Sequence, residues 1–192
     1  MLTTPTDAQT IAASLEDAAR FGLIFDRHFV AIHRYLYRRA GREIADDLAA
    51  ETFAQAFDHR HGYDPGREDA RPWLFGIASN LMRHHRRAER RRLVAYVRTG
   101  VDPVSEIDVD AVHDRVDAEA VGPRVALALA RLDARDREAL LLLAWADLTY
   151  PQIAEALGIP VGTVRSRIHR ARRRVRALLD GHPIPLASPQ EA

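Results

Sequence analysis

The chain of 192 residues contains no cysteine and no lysine, and it has no apolar run of about 18 residues. Without cysteine there can be no disulfide, no thiolate metal site and no cysteine nucleophile. Without a long apolar run, no segment is expected to cross a membrane as a helix. The first residues show neither a basic start nor an apolar stretch, so we predict no signal peptide and a cytoplasmic location.

Charge is nearly balanced overall but is unevenly distributed along the chain. The net charge is +1, and all 28 basic residues are arginine. Residues 83–98 hold seven arginines against one glutamate, and residues 165–176 hold seven arginines and no acid. Between these blocks, residues 102–119 hold seven acids against one arginine. The two basic blocks favour contacts with a polyanion.

Hydrophobic spacing predicts helices and no strands. Helices are predicted from Phe21 to about Ala40, from Glu43 to Phe57, from Arg71 to Arg92, and again from Pro123 onward. We therefore predict an all-α protein of two small helical domains joined by a flexible acidic linker. The predicted parts are a flexible N-terminal segment at 1–20, a domain at 21–98, the linker at 99–121, a domain at 122–181 and a tail at 182–192.

The clearest motif is a helix-turn-helix at Thr149–Arg176. Thr149 begins a capping box, Gly158 is a natural left-handed stop, and a long helix begins near Val161. Apolar residues recur on that helix at intervals of four and three, which predicts a buried stripe of Val164, Ile168, Ala171, Val175 and Leu178. The basic side suits the major groove of DNA, and the candidate contacts are Thr163, Arg165, Ser166, His169, Arg170 and Arg173.

The alternative for this basic side is a solvated helix face, although such faces usually mix charges of both signs.

A second basic face is predicted on the helix from Arg71. Asn80, Arg83 and Arg87 fall opposite an apolar stripe that includes Trp73, which we expect in the core rather than as a stacking platform. An amide among arginines suits a single-stranded base edge beside phosphates.

No pattern in the sequence points to catalysis. Neither His59 with His61 nor His84 with His85 has a further ligand at a convincing spacing, so we predict no metal site. No nucleophile is paired with a base. The sequence therefore predicts a protein that is not an enzyme and that needs no cofactor.

Two ordered motifs resemble the extracytoplasmic-function (ECF) group of bacterial RNA polymerase sigma factors. The first is Ala45–Phe53 followed by Arg71–Leu81, and the second is Leu148–Gly158 followed by Gly162–Arg172. The resemblance covers about residues 21–180. It implies a protein that binds core RNA polymerase, recognises the −35 element with its C-terminal domain, and melts and captures the −10 element with its N-terminal domain.

The resemblance also assigns roles to particular residues. The second predicted helix would dock on the coiled-coil clamp of the polymerase's largest subunit. For Phe53 the alternative is a role in the core. For the acidic face of this helix the alternative is a solvated surface without a partner. The implied polymerase contacts are Asp47, Leu48, Glu51, Thr52 and Phe53, and Ala50 stands where the family commonly has Gln. The implied −10 contacts are His61, Tyr63, Arg67, Asn80, Arg83 and Arg87, with the loop before Arg71 holding a base extruded from the stack.

The acidic linker has two open roles. The resemblance places it along the RNA path of the polymerase, and the second hypothesis is that it covers the arginine faces of the free protein. Fully extended, its 23 residues reach about 75 Å, or about two turns of DNA.

Core RNA polymerase, promoter DNA and an anti-sigma protein are the candidate partners, and we expect a monomer when the protein is free. The alternative function is a conventional helix-turn-helix repressor or activator, which would bind DNA specifically without polymerase.

Overall fold

The computed structural model describes residues 4–98 and 122–180, and every regular element in these ranges is helical. The N-terminal unit contains α1 (Asp7–Ser14), α2 (Gly22–Ala40), α3 (Arg42–His59) and α4 (Arg71–Arg98), with short 3-10 turns at Ala18–Phe21 and Arg60–Gly62. The C-terminal unit contains α5 (Pro123–Ala130), α6 (Ala134–Trp145), α7 (Tyr150–Leu157) and α8 (Val161–Leu179). The all-α prediction is confirmed. The predicted linker at 99–121 and tail at 182–192 lie outside the described residues.

The N-terminal unit is built on an antiparallel pair, α2 and α3, joined by Gly41 alone. The pairing is visible in two contacts: the Phe25 and Phe53 rings lie 5.0 Å apart, and His33 Nε2 lies 2.7 Å from Asp46 Oδ1. Helix α4 covers this pair with a buried stripe of Leu74, Phe75, Ala78 and Met82. It ends at Arg98 rather than at the predicted Arg92. None of the described helices combines the length and hydropathy that crossing a bilayer requires.

The prediction of a flexible segment at 1–20 is wrong for residues 7–14, which form α1. Thr6 and Gln9 cap the helix reciprocally, and Ile11 is buried. The buried carboxylate of Asp7 accepts hydrogen bonds from Arg27 at 2.9 Å and from the Ala70 backbone N–H at 2.9 Å. These partners lie 20 and 63 residues away in sequence, so local periodicity could not reveal them. The N-terminal unit therefore begins at α1 and not at residue 21.

We expect Asp7→Asn to lower the free energy of unfolding at neutral pH by about 2–3 kcal/mol, because it leaves buried donors without a charged acceptor. Burial alone would raise the pKa of Asp7, but its hydrogen bonds and the charge of His28, 2.7 Å away, hold that pKa well below its usual value. A lowered pKa stabilises the fold above about pH 4 and loses that effect as the pH falls further. In urea unfolding, the free energies of the parent chain and of Asp7→Asn should therefore differ less at pH 3 than at pH 7. The exposed Asp26→Asn is the matched control, and an equal effect of both variants would contradict this role.

The C-terminal unit confirms the predicted helix-turn-helix. Thr149 and Gln152 form the capping box of α7, and Gly158 ends that helix with φ of +63°, in the left-handed region that favours glycine. The predicted stripe on α8 packs inward at Val164, Ile168 and Ala171. Burying a large aliphatic side chain of this kind contributes about 1.5–3 kcal/mol. The two units also pack against each other, with α7 against α4.

Candidate nucleic-acid interface

The outward face of α8 is a row of exposed side chains above a buried apolar stripe. Val164 and Ile168 are almost fully buried, whereas Thr163 is half-buried. A helix of about 10–12 Å diameter fits the ~12 Å major groove of DNA. The predicted contacts that the structure leaves exposed are Arg165, Ser166, His169, Arg170 and Arg173.

Arg170 differs from the other members of this row because its guanidinium is engaged within the unit. Its Nε and an Nη donate to the two carboxylate oxygens of Asp136 on α6, at 3.0 and 2.7 Å. Such a bidentate pair fixes the plane of the guanidinium. The contact therefore joins α8 to α6, and it leaves the Arg170 guanidinium less free to reach a base edge.

A polar pocket of about 400 Å³ lies beside α4, at the predicted basic face. Asn80, Arg83 and Arg87 line it, and Asn80 Oδ1 accepts a hydrogen bond from Arg83. The pocket is completed by Gln55, Leu81 and His84. Two guanidinium groups beside amide side chains can hold a phosphate and a base edge together.

The other predicted −10 contacts form a separate cluster in the loop before α4. His61 is exposed, and the Tyr63 ring packs against Trp73 with ring centroids 4.9 Å apart. The Tyr63 hydroxyl donates to the backbone carbonyl of Arg67 at 2.7 Å, and burial raises its pKa. Trp73 and Asn80 are seven residues apart on α4, so at ~1.5 Å per residue the two clusters are about 10 Å apart along the helix.

The predicted polymerase contacts divide into exposed and buried residues. Asp47 and Glu51 are exposed and Leu48 is half-buried. Thr52 is fully buried, and its hydroxyl donates to the Leu48 carbonyl at 2.6 Å. Phe53 is buried against the rings of α2, which is the core role that the sequence left open. Of these five residues, only Asp47, Leu48 and Glu51 can contact a partner directly. The exposed Ala50 lies between Leu48 and Glu51.

Two residues near these sites were not anticipated. Gln55 on α3 lines the pocket beside Asn80, and its amide also donates to Glu51 at 2.8 Å. Glu155 on α7 lies 2.6 Å from a guanidinium nitrogen of Arg67. No sequence signal could have found either residue, because Gln55 and Asn80 are 25 positions apart and Arg67 and Glu155 are 88 positions apart.

Comparison with known proteins identifies the family. The model described as Sigma-70 region 2 matches residues 24–92, and the model described as Sigma-70, region 4 matches residues 124–175. The ECF RNA polymerase sigma factor SigL of Mycobacterium tuberculosis is 32% identical over 173 residues, covering 90% of this chain and 96% of the relative. The RNA polymerase sigma factor CnrH of Cupriavidus metallidurans is 32% identical over 193 residues, covering 92% and 96%. The chain belongs to the ECF RNA polymerase sigma factors.

Solved structures agree with this assignment. CnrH in complex with the cytosolic domain of CnrY matches with a TM-score of 0.64 and 30% identity, over 92% of this sigma factor and 99% of that chain. The sigma factor RpoE of Bartonella quintana, solved with the anti-sigma factor NepR, matches with a TM-score of 0.57 over 83% of this chain and 96% of that one. At 23% identity, this second match supports the fold alone.

Each candidate site lies within one of the two matched regions. The pocket beside α4 and the acidic face of α3 lie within region 2, and the exposed arginines of α8 lie within region 4. The protein is therefore a sigma factor that directs promoter-specific transcription, with core RNA polymerase and promoter DNA as partners. The comparisons give no support to the alternative of a conventional repressor or activator. Helix α1 precedes the region 2 match.

We expect Arg170→Ala to affect folding more than DNA recognition. Because Arg170 is half-exposed, removal of its pair with Asp136 should lower the free energy of unfolding by only about 1 kcal/mol. Arg173→Ala, on the same face, should leave stability unchanged and weaken promoter binding. Thermal unfolding and promoter binding of the polymerase holoenzyme measure the two effects. Unchanged stability of Arg170→Ala with a full loss of binding would instead make Arg170 a DNA contact.

Proposed function

We propose that this sigma factor reads the −35 element with the outward face of α8. The supporting observation is a helix whose inner side is buried apolar and whose outer side carries arginines and no acid between residues 165 and 176. Arginine can grip guanine O6 and N7 bidentately or neutralise phosphates. In this proposal Arg170 mainly orients α8, and the direct contacts are Thr163, Arg165, Ser166, His169 and Arg173.

The −10 element is bound by the N-terminal unit in two places. The pocket at Asn80, Arg83 and Arg87 takes the backbone and a base edge of the separated strand, and Gln55 and His84 complete its lining. The loop with His61, Tyr63 and Arg67 holds a base taken out of the stack. Extrusion costs less once the duplex is locally melted, so capture and melting support each other.

Core polymerase is bound by the exposed part of α3. Asp47 and Glu51 provide an acidic face and Leu48 an apolar contact, which suits a basic partner surface with an apolar centre. Thr52 and Phe53 support this face from the core and do not touch the partner. The sigma factor supplies binding and orientation, acts in the cytoplasm, and has no enzymatic activity of its own.

An anti-sigma protein is the proposed regulator. The similar sigma factors CnrH and RpoE were solved in complex with the cytosolic domain of CnrY and with the anti-sigma factor NepR, respectively. We propose that a protein of this kind binds the present sigma factor when its promoters are silent.

In-vitro transcription tests the proposed function. Core RNA polymerase is combined with promoter fragments from the source genome, with and without the sigma factor. Added protein should give initiation at discrete start sites, whereas core polymerase alone should give no promoter-specific initiation. Absence of promoter-specific initiation would contradict the proposal, and specific DNA binding without polymerase would favour a conventional regulator.

A further inference from the structure

Helix α1 holds the end of the loop that is proposed to capture a base, residues 61–70. The Asp7 backbone N–H donates to the Glu68 carbonyl at 3.1 Å, and the Asp7 carboxylate accepts from the Ala70 backbone N–H at 2.9 Å. We call residues 61–70 the capture loop and these two hydrogen bonds the α1 clamp. The clamp fixes the backbone of the loop just before α4 begins.

The rest of the capture loop is closed by its own residues. The Tyr63 hydroxyl donates to the Arg67 carbonyl at 2.7 Å, and the Arg67 backbone N–H donates to the Asp64 carbonyl at 3.1 Å. The Gly66 backbone N–H donates to the Asp64 carboxylate at 2.9 Å. These three bonds shape the tip of the loop, whereas the two bonds of Asp7 join its end to a helix.

Hydrogen bonds from the C-terminal unit reach this loop at side chains instead. Gln152 Nε2 donates to Asp69 at 2.9 Å, and a guanidinium nitrogen of Arg67 donates to Glu155 at 2.6 Å. The α1 clamp is made to the backbone and lies within the N-terminal unit. It can therefore fix the course of the chain whatever side chains the loop carries, and it leaves exposed ones such as His61 available to DNA.

Asp7 can anchor the loop without repelling DNA. Its side chain is only 10% exposed, and Arg27 donates to it at 2.9 Å. His28 Nε2 lies 2.7 Å from the other carboxylate oxygen. A charged acceptor forms a stronger hydrogen bond with a backbone N–H than a neutral one does. Asp7 therefore gives the Ala70 N–H a strong partner, while the adjacent guanidinium balances the negative charge of the carboxylate.

We propose that Asp7 is a positioning residue for the −10 element, which acts through the α1 clamp to set the capture loop in the shape that receives the extruded base. Its effect on DNA rests on the proposed function of this loop, whereas the clamp itself does not. A loop that is ordered before it binds loses less conformational entropy when the base enters. The affinity of the loop for the base therefore depends on Asp7, although Asp7 does not touch DNA.

Hydrogen exchange in the free protein tests the α1 clamp. Asp7→Ala removes the acceptor of the Ala70 amide, so this amide should exchange faster through local opening of the loop. The Ala78 amide, in the buried stripe of α4, reports the stability of the unit as a whole. We expect the exchange rate of Ala70, divided by that of Ala78, to rise at least about tenfold in Asp7→Ala.

Leu36→Ala is the matched control for stability. Leu36 is fully buried on α2, eight residues after His28, which is about 12 Å at ~1.5 Å per residue. Its truncation should destabilise the N-terminal unit at least as much as the loss of Asp7 does, but it leaves the α1 clamp intact. The rate ratio should therefore not rise in Leu36→Ala. An unchanged ratio in Asp7→Ala, or an equal rise in both variants, would overturn the clamp.

Binding of a single strand tests the positioning role. The sigma factor is assembled with core RNA polymerase and given an oligonucleotide with the −10 sequence of one of its promoters, either intact or with one base removed. A scan of single abasic positions with the parent chain identifies the captured base. Because stacking of one base contributes strongly to binding, its removal should weaken the parent complex, and Asp7→Ala should reduce this discrimination at least about threefold.

A purely structural role of Asp7 would give a different result. A lower fraction of folded protein weakens binding to both oligonucleotides equally and leaves the discrimination unchanged, which is the result expected for Leu36→Ala. Unchanged discrimination in Asp7→Ala would overturn the positioning role, even if the exchange ratio confirms the clamp.

A milder variant and the parent chain complete the test. Thr6→Ala removes only the side-chain cap of α1, so it should shift both readouts in the same direction as Asp7→Ala, and it replaces that variant if Asp7→Ala does not fold. If the parent chain discriminates at no position of the −10 strand, the proposed function of the loop and the positioning role are both contradicted. The exchange ratio would still decide the α1 clamp.

Discussion

Replacing Arg165 and Arg173 together with alanine is expected to reduce promoter-specific initiation at least about 30-fold, because each arginine contact with DNA contributes about 1–3 kcal/mol. Both side chains are exposed on the outer face of α8, while the helix is held by Val164 and Ile168 beneath them. The substitution should therefore leave the fold intact. In-vitro transcription with core polymerase, titrated with the sigma factor at several salt concentrations, measures the reduction.

The control removes the same charge elsewhere in the C-terminal unit. Arg131 and Arg135 are exposed but lie outside α8, so their joint replacement by alanine should leave initiation nearly unchanged. The salt dependence of binding should also weaken in the α8 variant, by about one unit of slope for each phosphate that is no longer neutralised by an arginine. Equal reductions in both double variants would mean that α8 acts only through net charge.

Reversing the charges of Asp47 and Glu51 to arginine should weaken binding to core polymerase at least about tenfold, because like charges placed across an interface cost several kcal/mol. Both carboxylates are exposed on α3, four residues apart, so the fold does not depend on them. Binding of the variant to core polymerase is measured directly, and its circular dichroism shows whether it folds.

A second double variant, Glu16→Arg with Asp26→Arg, changes the net charge equally at exposed sites outside the proposed interface. It should bind core polymerase like the parent chain. If both double variants bind equally well, the acidic face of α3 is a solvated surface. If both are weakened equally, the effect is one of net charge rather than of this face.

Local signals were enough for the helix-turn-helix. The capping pair Thr149–Gln152 and the stop at Gly158 act within a few residues, and the spacing on α8 reports which side is buried. Such signals need no knowledge of the rest of the chain. The outward face of α8 and its buried stripe could therefore be predicted from the sequence.

Helix α1 shows where local signals fail. Its eight residues include few large apolar side chains, and an isolated helix of this length is unstable in water. It persists because Asp7 is bound by groups from α2 and from the residue before α4. Local patterns also could not reveal that Arg170 forms an ion pair within the C-terminal unit, because its partner Asp136 lies 34 residues earlier in the chain.

The amino-acid sequence by itself determined the helical class, the two ordered motifs that resemble those of ECF sigma factors, and the basic outer face of α8. These properties follow from periodicity, caps and charge, which act over a few residues. Only the tertiary structure decided that Thr52 and Phe53 lie in the core and that Gln55 lines the same pocket as Asn80. It also decided that Arg39 forms an ion pair with Glu138. Each of these outcomes depends on residues that are distant in sequence and share no local pattern, so only packing brings them together.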